Sequence, residues 1–154
     1  MKQWAPTPPT GEKNGSKRHL LVDGRGVPLS IVVTGANRHD VSQLELVLDE
    51  IIIARPDTEQ NLCADKGYTG EPAQQTIKDH GYIPHVMQRG EEIQEKKANP
   101  LFKARRWVVE VAHSWFNRFR KLLVRYEKLT ETYEALLHMA AAIIAFRKTV
   151  VIYG

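Results

Sequence analysis

A strand, a helix and a second strand follow one another with short joins between Glu59 and Met87, and this order constrains the fold most. The run EQNLCAD predicts a strand that ends at Asp65, and YIPHVM predicts the second strand. Between them, a helical segment over Ala73–Asp79 is closed by Gly81. Strands joined through a helix lie parallel in one sheet. We therefore expect an α/β fold.

A hairpin precedes this unit and helices follow it. The β-rich runs KRHLLVD and PLSIVVTG are separated by GRGV, whose glycines suit a tight turn. Apolar spacing predicts a helix from Val41 to Arg55, with Asp40 or Ser42 as its N-cap. Two further helices are expected, over residues 101–124 and 131–148. The last one carries little polar surface, so we expect it to be buried.

The chain's 154 residues suit a single core. Residues 1–16 are rich in proline and glycine and predict an irregular leader, and residues 17–150 form the expected domain. The lone cysteine, Cys63, lies in an apolar run and is expected to be buried. The first residues carry no secretory signal, and no apolar run approaches the roughly 20 residues of a membrane span. We expect a cytoplasmic protein without a membrane partner.

Positive charge is concentrated in one segment. Lys103 to Lys128 holds eight basic and two acidic residues, a net charge of +6, so the rest of the chain carries −2 of the total of +4. A basic segment on a slightly acidic body favours nucleic acid as a partner, although a solvated basic helix gives the same pattern.

Within that segment, helical geometry separates two faces. The apolar stripe predicted to face the core consists of Val108, Val111, Trp115, Phe119 and Leu122. Glu110 falls about 140° from the centre of this stripe, at 100° per residue, on the polar face with Arg106, His113, Asn117 and Lys121. Glu110 is either a ligand among phosphate-binding groups or one partner of a surface pair with Arg106, worth about 0.3–0.5 kcal/mol. His113 similarly fits a phosphate contact or an ordinary surface histidine.

Asp65 has two interpretations of its own. Ligands bind outside the carboxyl ends of strands in open α/β sheets, which favours a functional carboxylate. An aspartate also commonly begins a turn before glycine, here Gly67. Zinc-ligand spacings, a P-loop and GxGxxG are absent from the sequence.

Three blocks together resemble the core of DDE-type transposases of bacterial insertion sequences. They are GSKRHLLVDGRGVPLSIVVTGANRHD, NLCADKGYTG and the segment from RRWVVEVAHSWF to AIIAFRK, in the family's order. The resemblance covers about residues 15–148. It implies a ribonuclease-H-like mixed sheet, formed by the hairpin and the parallel crossover and flanked by helices. It also implies an Asp-Asp-Glu triad holding two Mg²⁺ or Mn²⁺ ions.

The resemblance assigns roles by position. Asp65 in ADKGY matches the second aspartate and Glu110 in RRWVVE matches the glutamate, so both are the expected catalytic residues and metal ligands. DNA, as transposon ends and target, is the expected partner. The residues expected to contact DNA are Arg105, Arg106, His113, Asn117, Arg118, Lys121, Arg125 and Lys128.

Two departures from the family pattern are present. The signature around the glutamate is Tyr, Arg, Glu and Lys at fixed spacing, but Lys103 stands at the Tyr position and Asn117 at the Lys position. Arg118 and Lys121 are the candidates for supplying the missing charge. The strand that carries the first aspartate should precede the first block, where this sequence has only the leader. Asp23, which lies 42 residues before Asp65, is a weak candidate for that role because the match places it at the hairpin turn.

Three hypotheses follow. The chain is a truncated or split transposase that needs an upstream segment or oligomeric partner and is inactive alone. Alternatively, it is an inactive remnant that binds DNA or a transposase. The third hypothesis is a ribonuclease-H-like nuclease without strand-transfer activity.

Overall fold

The computed structural model describes residues 15–86 and 107–153. It begins with the expected hairpin, in which β1 (Ser16–Val22) pairs antiparallel with β2 (Pro28–Gly35). Gly26 in the turn has a φ of 85°, a conformation that favours glycine. A Cβ atom on Gly26 would lie 3.0 Å from the Trp115 ring, so the turn packs closely on a later helix. The hairpin prediction is confirmed.

Helix α1 is shorter than the sequence predicted. A 3₁₀ turn over Val41–Gln43 leads into α1, which spans only Leu44–Asp49. Three consecutive isoleucines follow, and β-branched residues restrict helical rotamers. Asp40, one of the two predicted caps, occupies the N-cap position of this 3₁₀ turn but makes no side-chain capping bond. Ser42 instead donates to the His39 carbonyl.

The predicted strand–helix–strand unit is confirmed. Strand β3 (Asn61–Ala64) pairs parallel with β4 (Ile83–Val86), and α2 (Glu71–Asp79) joins them. Cys63 is exposed, so its predicted burial was wrong. The alternation of side chains along β3 directs Leu62 inward, which turns Cys63 to the opposite face.

The long basic helix is broken. Helix α3 spans Trp107–Asn117 in the described residues, and the separate short helix α4 spans Arg120–Leu123. Phe119 between them has an extended conformation, with φ of −83° and ψ of 107°. The prediction of a continuous helix to Val124 was therefore wrong.

The break also changes which residues are buried. Val108, Ala112 and Phe116 are the buried residues of α3, whereas Val111 and Trp115 are only partly buried. The buried stripe is thus rotated by about one residue from the predicted one. After the break, Leu122 of α4 joins the same hydrophobic cluster as Phe116.

Helix α5 (Thr130–Tyr153) is the longest described helix. Tyr133, Leu137, Ala140 and Ile144 form its buried face, at spacings of three and four residues. The prediction that the whole helix is buried was wrong, because Phe146 on another face is 69% exposed. Within the described ranges, no helix is long and apolar enough to cross a membrane.

The hairpin separates two hydrophobic clusters. Leu20 of β1 packs against the cluster formed by the helices from α3 to α5. The next residue, Leu21, points the other way and packs against the cluster that holds Leu62 of β3 and Ile77 of α2. Buried Ser30 ties α1 to the hairpin by donating to the Val47 carbonyl at 2.6 Å.

This architecture confirms the α/β class. The four described strands form an antiparallel pair and a parallel pair that share no ladder of hydrogen bonds. The joining of both pairs into one ribonuclease-H-like mixed sheet, its first strand and the domain bounds of 17–150 stay predictions. Most of the predicted leader, all of it before Gly15, lies outside the described residues.

Candidate active site and DNA-binding face

Asp65 lies where β3 ends, as the sequence predicted. Its backbone is extended, and its Oδ1 accepts a hydrogen bond from the Lys66 backbone N–H at 2.7 Å. The Asp65 carbonyl accepts from the Tyr68 N–H at 2.9 Å, which closes the 3₁₀ turn over Lys66–Tyr68. The residue is exposed. Asp65 therefore begins a turn and also presents its carboxylate at the carboxyl end of a strand, and its functional role stays a prediction.

Tyr68 connects this turn to the hydrophobic core. Its partly buried side chain packs against the cluster that contains Leu62 and Ile77. Burial raises the pKa of Tyr68 to about 12, and the nearby carboxylates of Asp40 and Asp65 add to this increase. The same phenol thus lies in the electrostatic field of both acids.

Asp40 lies close enough to this turn to act on Tyr68, a proximity that the sequence reasoning missed. Its Oδ1 lies 2.7 Å from Lys17 Nζ and 3.4 Å from His19 Nδ1. Burial lowers the pKa of His19, Asp40 opposes this change and Lys17 adds to it, so the imidazole is neutral at pH 7. Lys17 is therefore the charged partner of Asp40. The only sequence signal for Asp40 was its position at the end of the run Arg38-His39-Asp40, which follows the hairpin.

Glu110 lies in α3 and is exposed, as predicted. The proposed surface partner, Arg106, lies outside the described residues, as does Arg105. Within the described residues, no three His, Cys, Asp or Glu side chains converge as a metal-binding group. The assignments of Asp65 and Glu110 as metal ligands stay predictions.

His113 and Asn117 of α3 lie beside the Arg18 side chain of the hairpin. One terminal nitrogen of Arg18, Nη2, donates to Asn117 Oδ1 at 2.7 Å. Burial lowers the pKa of His113, and the neighbouring Arg18 charge lowers it further, so this imidazole is neutral at pH 7. The other terminal nitrogen, Arg18 Nη1, is buried without a hydrogen-bond partner among the described residues. Arg18 was not predicted, because its contact with Asn117 spans 99 positions.

The remaining predicted DNA contacts fall into two groups. Arg118, Lys121 and Lys128 are exposed. Arg125 is partly buried and donates to the Ser16 and Thr130 hydroxyls and to the Glu127 carbonyl. The first group is available to a phosphate backbone, whereas Arg125 connects parts of the chain.

The Asp23 carboxylate accepts hydrogen bonds within the hairpin turn. Its Oδ1 accepts from the backbone N–H groups of Arg25 and Val27, each at 2.8 Å. These bonds organise the hairpin turn, which is the position expected from the family pattern. They supply a sufficient reason for an aspartate at this position.

Comparison with known proteins identifies the class. The family described as "Transposase DDE domain" matches residues 62–147, which include Asp65 and Glu110. The chain belongs to this family of DDE transposases, which generally use divalent metal ions.

A relative extends the match beyond that domain. The transposase of insertion sequence element IS402 from Burkholderia cepacia is 33% identical over 150 residues, covering 92% of this chain and 67% of the relative. No solved structure matches the chain significantly.

Proposed function

We propose that this chain is the larger part of an insertion-sequence transposase that cleaves DNA strands and joins them to a target. Asp65 and Glu110 would supply two of the three carboxylates. The observation that carries the proposal is their placement inside the matched family segment, one at a strand end and the other on an exposed helical face. Transposon ends and target DNA are the proposed partners.

The donor set fits a hard divalent cation such as Mg²⁺ or Mn²⁺. Carboxylate oxygens are the ligands these ions prefer, and both side chains are accessible. Bound metal ions would activate the attacking oxygen and stabilise the leaving oxygen. In the cleavage step, the water oxygen bonds to phosphorus while the 3′ oxygen leaves and takes up a proton. The exposed cations Arg118, Lys121 and Lys128 would hold the DNA backbone during this exchange.

The third carboxylate would come from another strand. The described strands leave β1 paired only with β2, and β3 paired only with β4. Strand edges of this kind are templates for pairing. Both pairs contribute to one hydrophobic cluster, through Leu21 and Leu62, so their edges belong to one core. We propose that an Asp-bearing strand, whether continuous with this chain or separate, pairs with these edges.

Reconstitution tests this proposal. The chain would be combined with an upstream segment of a family transposase, fused or added in trans, and incubated with Mg²⁺ and DNA carrying the element's ends. We expect cleaved and joined DNA products. Asp65→Asn or Glu110→Gln should reduce the rate of product formation at least about 100-fold, which is the scale of losing a preorganised charge-stabilising group. Asp57→Asn, an exposed acid outside the site, is the matched control. Equal activity in Asp65→Ala would remove the assignment, and cleavage without joined product would favour the nuclease hypothesis.

A second candidate function is DNA binding without catalysis. It is favoured by the exposed cations Arg118, Lys121 and Lys128 of the basic segment. If about five cations of the basic segment meet phosphates, log affinity falls against log salt with a slope near −4.5 for duplex DNA. A flat salt response would exclude this function.

A further inference from the structure

A groove of about 370 Å³ lies beside the end of α3, at the small end of the range for ligand clefts, about 300–1,000 Å³. Two aromatic rings, three cations and one aliphatic side chain line it: Trp115, Phe119, Arg118, Arg147, Lys148 and Ile144. We call it the tryptophan groove. No carboxylate is among these lining residues, so its chemistry is aromatic and cationic.

The Trp115 ring is held in place from two sides. At one edge it meets Gly26 of the hairpin turn, where an added Cβ would approach to 3.0 Å. Over its face lies the Lys148 ammonium, with Nζ 4.0 Å from the ring centroid. The ring edge is therefore packed against the hairpin turn, and a charged side chain covers the ring face. A flat group that stacks on this face would displace the ammonium, leaving it beside the incoming ligand.

This combination selects a class of ligand. An anion alone would account for the cations but would leave the rings unused, and an apolar ligand would leave the cations unpaired. A nucleotide has both a flat base and a phosphate. Duplex DNA exposes its phosphates but keeps its base faces stacked, whereas an unpaired strand offers both groups.

We propose that the tryptophan groove binds one or two unpaired nucleotides of a DNA strand. A base stacks on Trp115 or Phe119, and the flanking phosphates meet Arg118, Arg147 and Lys148. This site is separate from the proposed metal site on α3, because Trp115 and Glu110 are five residues apart and project about 140° from each other. Binding requires neither metal nor cleavage, so the proposal goes beyond the proposed function.

Fluorescence anisotropy with labelled dT12 tests the proposal, using the full chain in EDTA with a 12-base-pair duplex for comparison. Stacking loss in Trp115→Leu is expected to weaken dT12 binding about 5- to 150-fold, while Trp115→Phe keeps a ring and most of the affinity. In Arg147→Ala/Lys148→Ala, loss of two phosphate contacts should reduce the salt slope for dT12 by about 1.4, from 0.7 per contact.

Charge removal elsewhere provides the matched control. Arg38→Ala/Lys78→Ala removes two exposed cations away from the groove and should leave the dT12 slope within about 0.3 of the parent value. Far-UV circular dichroism and urea unfolding establish that each variant folds. If Trp115→Leu does not fold, the salt slope of the Arg147→Ala/Lys148→Ala variant still tests the proposal, because Arg147 is exposed and Lys148 is partly exposed.

Three results would overturn the proposal. The first is unchanged dT12 affinity in folded Trp115→Leu, and the second is an equal salt slope in the groove and control double variants. The third is a groove variant that changes the oligomeric mass in light scattering without changing dT12 binding, which would make the groove an interface between copies. Because no metal is present, failure of the cleavage assay would not affect these outcomes.

Discussion

Arg125 should stabilise the fold, and its replacement by alanine is a direct test of the packing between β1 and α5. Its Nε donates to the Glu127 carbonyl at 3.0 Å, and its terminal nitrogens donate to the Ser16 and Thr130 hydroxyls. The guanidinium carbon lies 4.9 Å from the centroid of the Tyr133 ring. One side chain therefore connects the start of the hairpin with the start of the last helix.

The expected loss follows from these contacts. A typical hydrogen bond contributes about 0.5–1.5 kcal/mol net, and bonds to charged groups contribute more. Since the two hydroxyl acceptors regain water after truncation, we take about 2 kcal/mol for the three bonds together. The contact with Tyr133 adds about 1 kcal/mol at a partly buried site. Arg125→Ala should lower the free energy of unfolding by about 3 kcal/mol.

Urea unfolding followed by far-UV circular dichroism measures this change. With a denaturant slope of about 2 kcal/mol per molar, the midpoint should fall by about 1.5 M. Arg120→Ala is the matched control, because Arg120 is exposed and its side chain makes no hydrogen bond or ion pair with the described residues. It should change the midpoint by less than about 0.3 M, the scale of ordinary surface substitutions.

The opposite pattern would refute the reasoning. If Arg125→Ala unfolded at the same urea concentration as the parent but bound DNA more weakly, Arg125 would be a DNA contact without a structural role. Arg125→Lys adds a second criterion. A single ammonium cannot reproduce the three directed donors, so it should recover only part of the stability.

Three further predictions concern other contacts. Phe116→Ala should lower the free energy of unfolding by about 3–5 kcal/mol through cavity formation, and a loss below 1 kcal/mol would contradict its burial at 1% exposure. In NMR titration, His113 should have a pKa below 6.5, so its contribution to stability declines as pH falls below 6.5. Arg18→Gln should raise that pKa only in part, because burial is the larger cause; an unchanged pKa would exclude the Arg18 contribution. Asp40→Asn should lower the pKa of Tyr68 from about 12, measured by ultraviolet absorbance, but leave it above 10. Because the folded pKa is raised, the parent should lose stability between about pH 10 and 12, and Tyr68→Phe should remove that loss.

Local signals predicted the strands well. The glycines of the hairpin turn, the β-rich runs beside it and the closing glycine of α2 each act within a few residues, and Gly81 indeed has a φ of 78°. The parallel pairing of β3 with β4 followed from the order of elements. The position of Asp65 at the end of β3 was likewise predictable from the order of elements.

Long-range contacts account for most of what was missed. Helical periodicity over the basic segment could not show the break before Arg120, because the apolar spacing continues through it to Leu122. The contact of Arg18 with Asn117 and the field of Asp40 at Tyr68 join residues that are far apart in sequence. Neither contact has a local motif, so both required the folded structure.

Arg18 also gives a physical account of the asparagine in the family signature. Where the signature has lysine, Asn117 accepts a hydrogen bond from the Arg18 guanidinium at 2.7 Å. A lysine at this position would place two cations together, whereas the asparagine carbonyl pairs with the arginine. The hairpin thus brings a positive charge to the position where the helix lacks one. In the proposed transposase, the cation expected on α3 would be supplied by β1, so the packing of the hairpin against α3 would affect DNA binding as well as stability.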